Sequence, residues 1–185
     1  PVRWVSTRSE GFATDCHARD HVTTSKMAFD KDGRILGIEA ETIASCGAYH
    51  GNSSTCVPAL YYPPVITGLY KTPAVHMKVT TVYTNGTTTD AYRGTGRPEA
   101  AFVNERLIEN GARELGIDAA EIRLRNYIQP DDYPYTSVVG RFHDSGDPPG
   151  QHDRLMKLTN YEGLKAEQAR LRADGIRMGI GMAGF

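Results

Sequence analysis

Two spacings divide the chain. His21-Val-Thr-Thr-Ser-Lys-Met-Ala-Phe29 is rich in β-branched residues with loose alternation, and Arg34 to Ser45 has Ile35, Ile38 and Ile43 among its apolar members. Asp30-Lys-Asp-Gly33 between them supplies a turn, so residues 20–46 are predicted to be a β-hairpin. Ala74 to Tyr83 reads as a further strand with Val75, Met77, Val79 and Thr81 on one face. After the polar loop from Asn85 to Arg97 the period changes to helical. Phe102, Val103, Leu107, Ile108 and Leu115 mark a helix that starts at Pro98 and stops at Gly116. Asp118, with Glu121 three residues on, is placed to cap a second short helix from Ala119 to about Tyr127.

The remaining stretches are less regular. Residues 47–73 are broken by Pro58, Pro63, Pro64 and Pro73, leaving room only for a short helix between Ser53 and Tyr62. Residues 129–150, with four prolines and three glycines, are expected to form an irregular loop or linker. Gln151 to Asp174 is predicted as one charged amphipathic helix with Leu155, Leu158, Leu164 and Leu171 as its buried line, followed by a strand over Ile176 to Gly184. Strands precede helices more than they alternate with them. The expected class is therefore α+β, with a hairpin, further strands and helices packed on the sheet.

Composition narrows the function. The 185 residues suit a single domain, or a fragment of a larger one. Lys plus Arg is 21 and Asp plus Glu 22, a balance that argues against a nucleic-acid surface. No apolar run reaches the roughly 20 residues of a membrane helix. Both ends, Pro1 and the glycine-spaced run to Phe185, look cut from something longer. Cys16, Cys46 and Cys56 form no C-x-x-C pair and are expected to be reduced thiols filling core space.

Three segments are candidates for chemistry. In Ala91-Tyr-Arg93-Gly94-Thr95-Gly96-Arg97-Pro98-Glu99, two residues without Cβ atoms let a ligand or another backbone come close; with a helix start behind them and a guanidinium on each side, the arrangement is able to cradle an anion. A tight turn whose arginines pair with nearby carboxylates accounts for the same residues. The segment lacks the lysine and hydroxyl of a P-loop and the spacing of a dinucleotide fingerprint. His17, Asp20 and His21 are metal-ligand types, but on a strand Asp20 points away from both histidines, and a polar surface strand fits better, so no metal site is assigned. Tyr61-Tyr62-Pro63-Pro64 suits either a pocket lining or a packed loop.

The ordered blocks Pro1-Val-Arg-Trp-Val-Ser-Thr-Arg-Ser-Glu10, Arg19-Asp20-His21, Gly47-Ala48-Tyr49, Tyr70-Lys-Thr-Pro73, Ala91 to Glu99, Glu114 to Asp118, Glu121 to Asn126 and Asp144-Ser-Gly146 closely resemble the molybdopterin-binding large subunit of the carbon monoxide dehydrogenase, xanthine dehydrogenase and aldehyde oxidase family, the molybdenum hydroxylases. The resemblance covers essentially the whole chain and implies an internal portion of a much longer cytoplasmic subunit. It implies an oxidoreductase that inserts water-derived oxygen into a C–H bond, with molybdopterin, often as the cytosine dinucleotide, as cofactor. Its partners would be the rest of the large subunit, a FAD-binding medium subunit and an iron–sulfur small subunit, with no nucleic acid and no membrane insertion.

By position, Arg93, Gly94, Thr95 and Gly96 match the loop against the molybdenum end of the cofactor, and Tyr61 falls where substrate is lined. Copper-dependent carbon monoxide dehydrogenases have a cysteine where this chain has Gly94. Xanthine oxidases have a purine-orienting arginine where this chain has Leu60-Tyr61-Tyr62. An aldehyde or aromatic heterocycle is the implied substrate. The family's upstream Phe-Gly loop and downstream general-base glutamate have no counterpart here, so no catalytic residue is assigned. On its own the chain is expected to bind no cofactor and to behave as a non-catalytic structural or interaction domain.

Overall fold

The computed structural model describes residues 1–185. Strands β1 (His21–Phe29) and β2 (Ile35–Ser45) form the expected antiparallel hairpin, in register from His21 opposite Ala44 to Ala28 opposite Gly37, with a one-residue shift before Phe29 meets Ile35. Its turn closes because Asp30 Oδ1 accepts from the amides of Asp32 at 2.9 Å and Arg34 at 2.8 Å while Gly33 takes φ 77°. Strand β3 (Val75–Val82) lies parallel to β2, in register from Ile38–Val75 to Ser45–Val82, so the sheet order is β1-β2-β3. A parallel neighbour needs a long crossover. Residues 46–74 supply it, with a π-helical turn at Val57–Tyr61 and a 3-10 turn at Pro63–Val65.

Helix α2 (Arg97–Leu115) packs on the inner face of the hairpin. The residues it buries are mostly small or polar: Ala100, Asn104, Glu105, Ile108, Gly111 and Ala112. A Cβ on Gly111 would lie 2.6 Å from Cζ of Phe29, so only glycine lets the helix backbone rest on that ring. The expected stripe was too broad: Phe102 is 69% exposed and Leu115 is also exposed. Ile35, Tyr70, Ile108, Ala112, Ile122 and Tyr127 make one core cluster; Ile38, Tyr62, Ile66 and Ala100 make another.

Helix α3 (Ala119–Asn126) starts at Asp118, whose carboxylate accepts from the amides of Ala120 and Glu121. Its last residue reaches back to the hairpin turn. Asn126 donates to the Gly33 carbonyl at 2.7 Å and accepts from the Ile35 amide at 2.8 Å. Arg123 is fully buried between α2 and α3. Its Nε donates to Glu105 at 2.8 Å, its Nη1 to the Ala119 carbonyl at 2.7 Å and its Nη2 to the Met182 carbonyl at 3.0 Å. Tyr70 donates to the other Glu105 oxygen at 2.6 Å, and burial together with that carboxylate pushes its phenol far above the ordinary range.

Several expectations are corrected. Helix α1 (Arg8–Thr14), capped reciprocally by Thr7 and Glu10, was not anticipated. Residues 129–150 contain a 3-10 turn at Pro130–Asp132 and a small ribbon of β4 (Tyr135–Thr136) and β5 (Phe142–His143). The predicted single helix over 151–174 is two, α4 (Pro148–Thr159) and α5 (Tyr161–Ala173), because Asn160 takes φ 48° between them. Leu158 is 78% exposed and Leu155 also faces out, so no buried leucine line exists. No strand forms over 176–184; the segment runs along α2 and α3, held partly by Arg123. Among the cysteines only Cys46 is buried; Cys16 is exposed. No helix is long and apolar enough to cross a membrane.

Removing Arg123 leaves the Glu105 carboxylate buried and uncompensated, so Arg123→Met is expected to destabilise the chain by about 3–5 kcal/mol. Urea unfolding checks this, and a loss below about 1 kcal/mol contradicts the role given to the pair.

Candidate cofactor-facing loop

Asp90 anchors the loop that carries the predicted site residues. Its carboxylate accepts from the amides of Asn52 (2.9 Å), Ser53 (3.0 Å) and Ala91 (2.7 Å), tying the loop to the crossover. The next turn is tight. The Thr95 amide and hydroxyl both donate to the Tyr92 carbonyl at 2.9 Å, and the Arg97 amide donates to Gly94 at 3.1 Å. Three consecutive residues have positive φ: Gly94 at 96°, Thr95 at 32° and Gly96 at 82°. A threonine in that region is strained and persists only where its surroundings hold it.

Of the two uses open to these glycines, approach of a ligand or of another backbone, the second is seen at Gly96. A Cβ on Gly96 would lie 2.6 Å from the Tyr61 carbonyl oxygen and from the Tyr62 nitrogen, and one on Gly94 would lie 2.8 Å from Cγ of Pro98. The missing side chains make room for this chain's own backbone at Gly96 and for its proline ring at Gly94. What the loop offers outward is donors. The amides of exposed Arg93 and part-exposed Gly94 have no acceptor within the chain, and the Arg93 side chain has no partner, whereas Gly96 is buried. That donor set fits an anionic or oxo-rich group.

The structure brings Tyr61 to the loop, since its peptide packs under Gly96, and leaves its ring 48% exposed. It separates Arg93 from Arg97. Arg97 has no carboxylate partner, contrary to the bland expectation; its Nη1 turns back to the carbonyls of Thr95 at 3.3 Å and Gly94 at 3.5 Å. Its side chain lines a cavity of about 300 Å³ with Asn104, Arg141 and His143. His17, Asp20 and His21 do not gather, and no cluster of three metal-ligand residues exists. His17 serves through its backbone, bridging to Thr88 and Asp90.

Sequence reasoning missed the residues behind the loop. Arg19 reaches across from the N-terminal segment, donating from Nη2 to the Arg93 carbonyl at 2.9 Å, with its guanidinium carbon 5.7 Å from the Tyr92 ring centre. Its Nε lies 3.0 Å from Oε1 of Glu99, a carboxylate only 6% exposed at the first turn of α2. The contact is close but off the hydrogen-bond line, so both Glu99 oxygens lack a well-aligned donor. Glu99, Tyr62 and His21 share a cavity of about 710 Å³ between β1 and α2, with the His21 and Tyr62 rings 5.7 Å apart. Only the order of blocks Arg19-Asp20-His21 and Arg97-Pro98-Glu99 hinted at them. Nothing in linear spacing joins positions 80 residues apart.

Comparisons with known proteins show the family. The family described as "Molybdopterin cofactor-binding domain" matches residues 1–127. The carbon monoxide dehydrogenase large chain of Afipia carboxidovorans is 35% identical over 193 residues, covering 100% of this chain and 24% of its own length. Subunit gamma of the 6-hydroxypseudooxynicotine dehydrogenase complex of Paenarthrobacter nicotinovorans is 33% identical, covering 98% of this chain and 23% of its own. Among solved structures, quinoline 2-oxidoreductase from Pseudomonas putida 86 superposes with a TM-score of 0.87 at 36% identity over 93% of this chain and 22% of that one. The chain belongs to the molybdopterin cofactor-binding domain family. It spans about a quarter of the length of the relatives it matches.

Burial lowers the pKa of His21 from its ordinary 6.5, with Glu99 and Asp20 opposing; burial likewise lowers His143 and His152. All three therefore stay neutral in the folded chain where the unfolded chain has begun to protonate. Their contribution to stability is complete above about pH 6.5 and is lost as pH falls through the lower folded values. The thermal midpoint is expected to drop between about pH 7 and about pH 5. A flat midpoint across that window contradicts the burial of these rings.

Proposed function

We propose that this chain is one wall of the cofactor site in the catalytic large subunit of a molybdenum hydroxylase. The observation that carries the reading is the Arg93–Gly96 loop, whose unpaired amides and free guanidinium lie within the family-matched region. Molybdopterin, when bound, supplies an oxo-molybdenum centre able to insert water-derived oxygen into a C–H bond. The chain's own contribution is to bind and orient: Arg93 and Gly94 would donate hydrogen bonds from a rigid turn that buried Gly96 seats on the Tyr61 peptide, which needs no reorganisation when charge develops nearby. Thr95 is part of that wall, although its hydroxyl is already used within the turn.

The substrate class is an aldehyde or an aromatic heterocycle, with the half-exposed Tyr61 ring as a lining surface. Gly94 offers no thiol, so a copper ion has no side-chain ligand at this position. No residue here is given the role of general base; that group belongs to the rest of the large subunit. The exposed apolar side chains of Trp4, Val5, Phe12 and Leu158 support a surface that the rest of the subunit covers. The cytosine dinucleotide form of the cofactor, partner subunits carrying FAD and iron–sulfur clusters, and a cytoplasmic location complete the proposal.

In the full-length parent, Arg93→Ala is expected to lower molybdenum content or dye-coupled turnover roughly ten- to a hundredfold, the cost of one charged donor in a dry site. Arg97→Ala, which removes only two long bonds to carbonyls of its own loop, should cost less than about 1 kcal/mol. Because the Arg93 side chain has no partner within the chain, the melting temperature of the isolated chain should not change. Unaltered molybdenum content and turnover in Arg93→Ala would sink the assignment.

A further inference from the structure

The Arg93–Gly96 loop holds an unusual backbone, yet none of its own side chains explains that. Three positive φ angles in succession include one at a β-branched residue. The internal bonds of the turn join residues two or three apart and would move with it as a unit. Something outside the turn has to fix it.

Asp90 holds the start of the loop and the Tyr61 peptide lies beneath Gly96; the one side chain from outside that grips its middle is Arg19, 74 residues before Arg93. Its guanidinium has two ends in use. One nitrogen donates to the Arg93 carbonyl at 2.9 Å, and Nε lies 3.0 Å from the Glu99 carboxylate. Glu99 itself stands on the first turn of α2 and is almost wholly buried, so its position is set by the packing of the helix on the hairpin. A buried carboxylate needs a cation, and Arg19 is the only one paired with it. The helix therefore dictates where Arg19 sits, and Arg19 dictates where the Arg93 carbonyl sits. A planar fork can satisfy two acceptors in fixed relative geometry; a single ammonium cannot do so equally well.

We infer that Arg19 and Glu99 are a positioning pair that sets the conformation of the Arg93–Gly96 loop from behind, so that Glu99 acts through Arg19 on residues it does not touch. The inference deepens the reading of this loop as the cofactor-facing wall, but its test needs no cofactor, so the two fail separately.

The test uses the chain as it stands. Trypsin cleaves Arg93–Gly94 only if the loop opens, while Arg97–Pro98 resists cleavage because of the proline. Cleavage at Arg93–Gly94 is measured against cleavage at the chain's other arginines, together with exchange of the Thr95 and Arg97 amides, which are bonded within the turn. Arg19→Ala and Glu99→Gln are each expected to speed cleavage and exchange at the loop on the order of tenfold, with the other sites unchanged. The double variant should be no faster than the faster single one. Arg19→Lys keeps the charge at a part-exposed position and separates fold from loop if Glu99→Gln unfolds the chain; it is expected to keep the melting temperature but not the loop protection. Protection in Arg19→Lys equal to that of the unmodified chain overturns the proposal. So does unchanged loop cleavage in Arg19→Ala, or faster cleavage at every arginine alike, which would make the pair part of the general fold.

Discussion

Two absent Cβ atoms at opposite ends of helix α2 set the geometry of everything around it. At one end Gly96 lies on the Tyr61–Tyr62 peptide; at the other Gly111 lies on the ring of Phe29. The helix can then rest directly on the hairpin and on the crossover. Ala100, one turn after Gly96, and Ala112, next to Gly111, are buried beside them. Close packing of this kind resists displacement, because any added methylene must push backbone or a buried ring. The loop before α2 inherits that rigidity. Its left-handed run is the path the chain must take to leave Asp90 on the crossover and enter a helix pressed against Tyr61.

A helix so close to a sheet has little room for large apolar side chains, and α2 buries charge instead. Glu99 and Glu105 are buried and Glu109 is partly so, and each meets an arginine from another segment: Arg19 for the first, Arg123 for the other two. Buried pairs of this sort add little net stability over apolar packing. They are strict about partners, though, because a wrong neighbour leaves a bare charge. Arg123 selects the α2–α3 packing and holds the 176–184 segment through the Met182 carbonyl. Arg19 brings the segment before β1 to the helix start. Fold and site thus share one principle, in which helix carboxylates recruit distant arginines.

How much of this the sequence disclosed depends on the range of the cause. The hairpin, the bounds of α2 and the Asp118 cap were legible because turn chemistry, period and capping act within a few residues. The Asn160 break was missed because an asparagine in the left-handed region leaves no mark on a leucine stripe. The leucines of 155 and 158 mark a surface, not a core, since periodicity shows that a face is apolar and not what covers it. Helix α1 was overlooked although Thr7 and Glu10 spell its capping box. At the site, the motif Ala91–Glu99 was visible and its resemblance named the family, and its glycines were read as admitting a ligand or another backbone without showing which backbone. Their neighbour, the Tyr61 peptide, is 35 residues away in the chain. The Arg19–Glu99 pair was out of reach for the same reason.

The central claim is that the donor face of this loop looks onto the cofactor. Amide hydrogen exchange at Arg93 and Gly94, compared between cofactor-loaded and cofactor-free full-length subunit, tests it most directly. The account predicts slowing of about tenfold or more at both amides on loading, with exchange in α5 unaltered. Equal exchange at Arg93 and Gly94 in the two forms would contradict it.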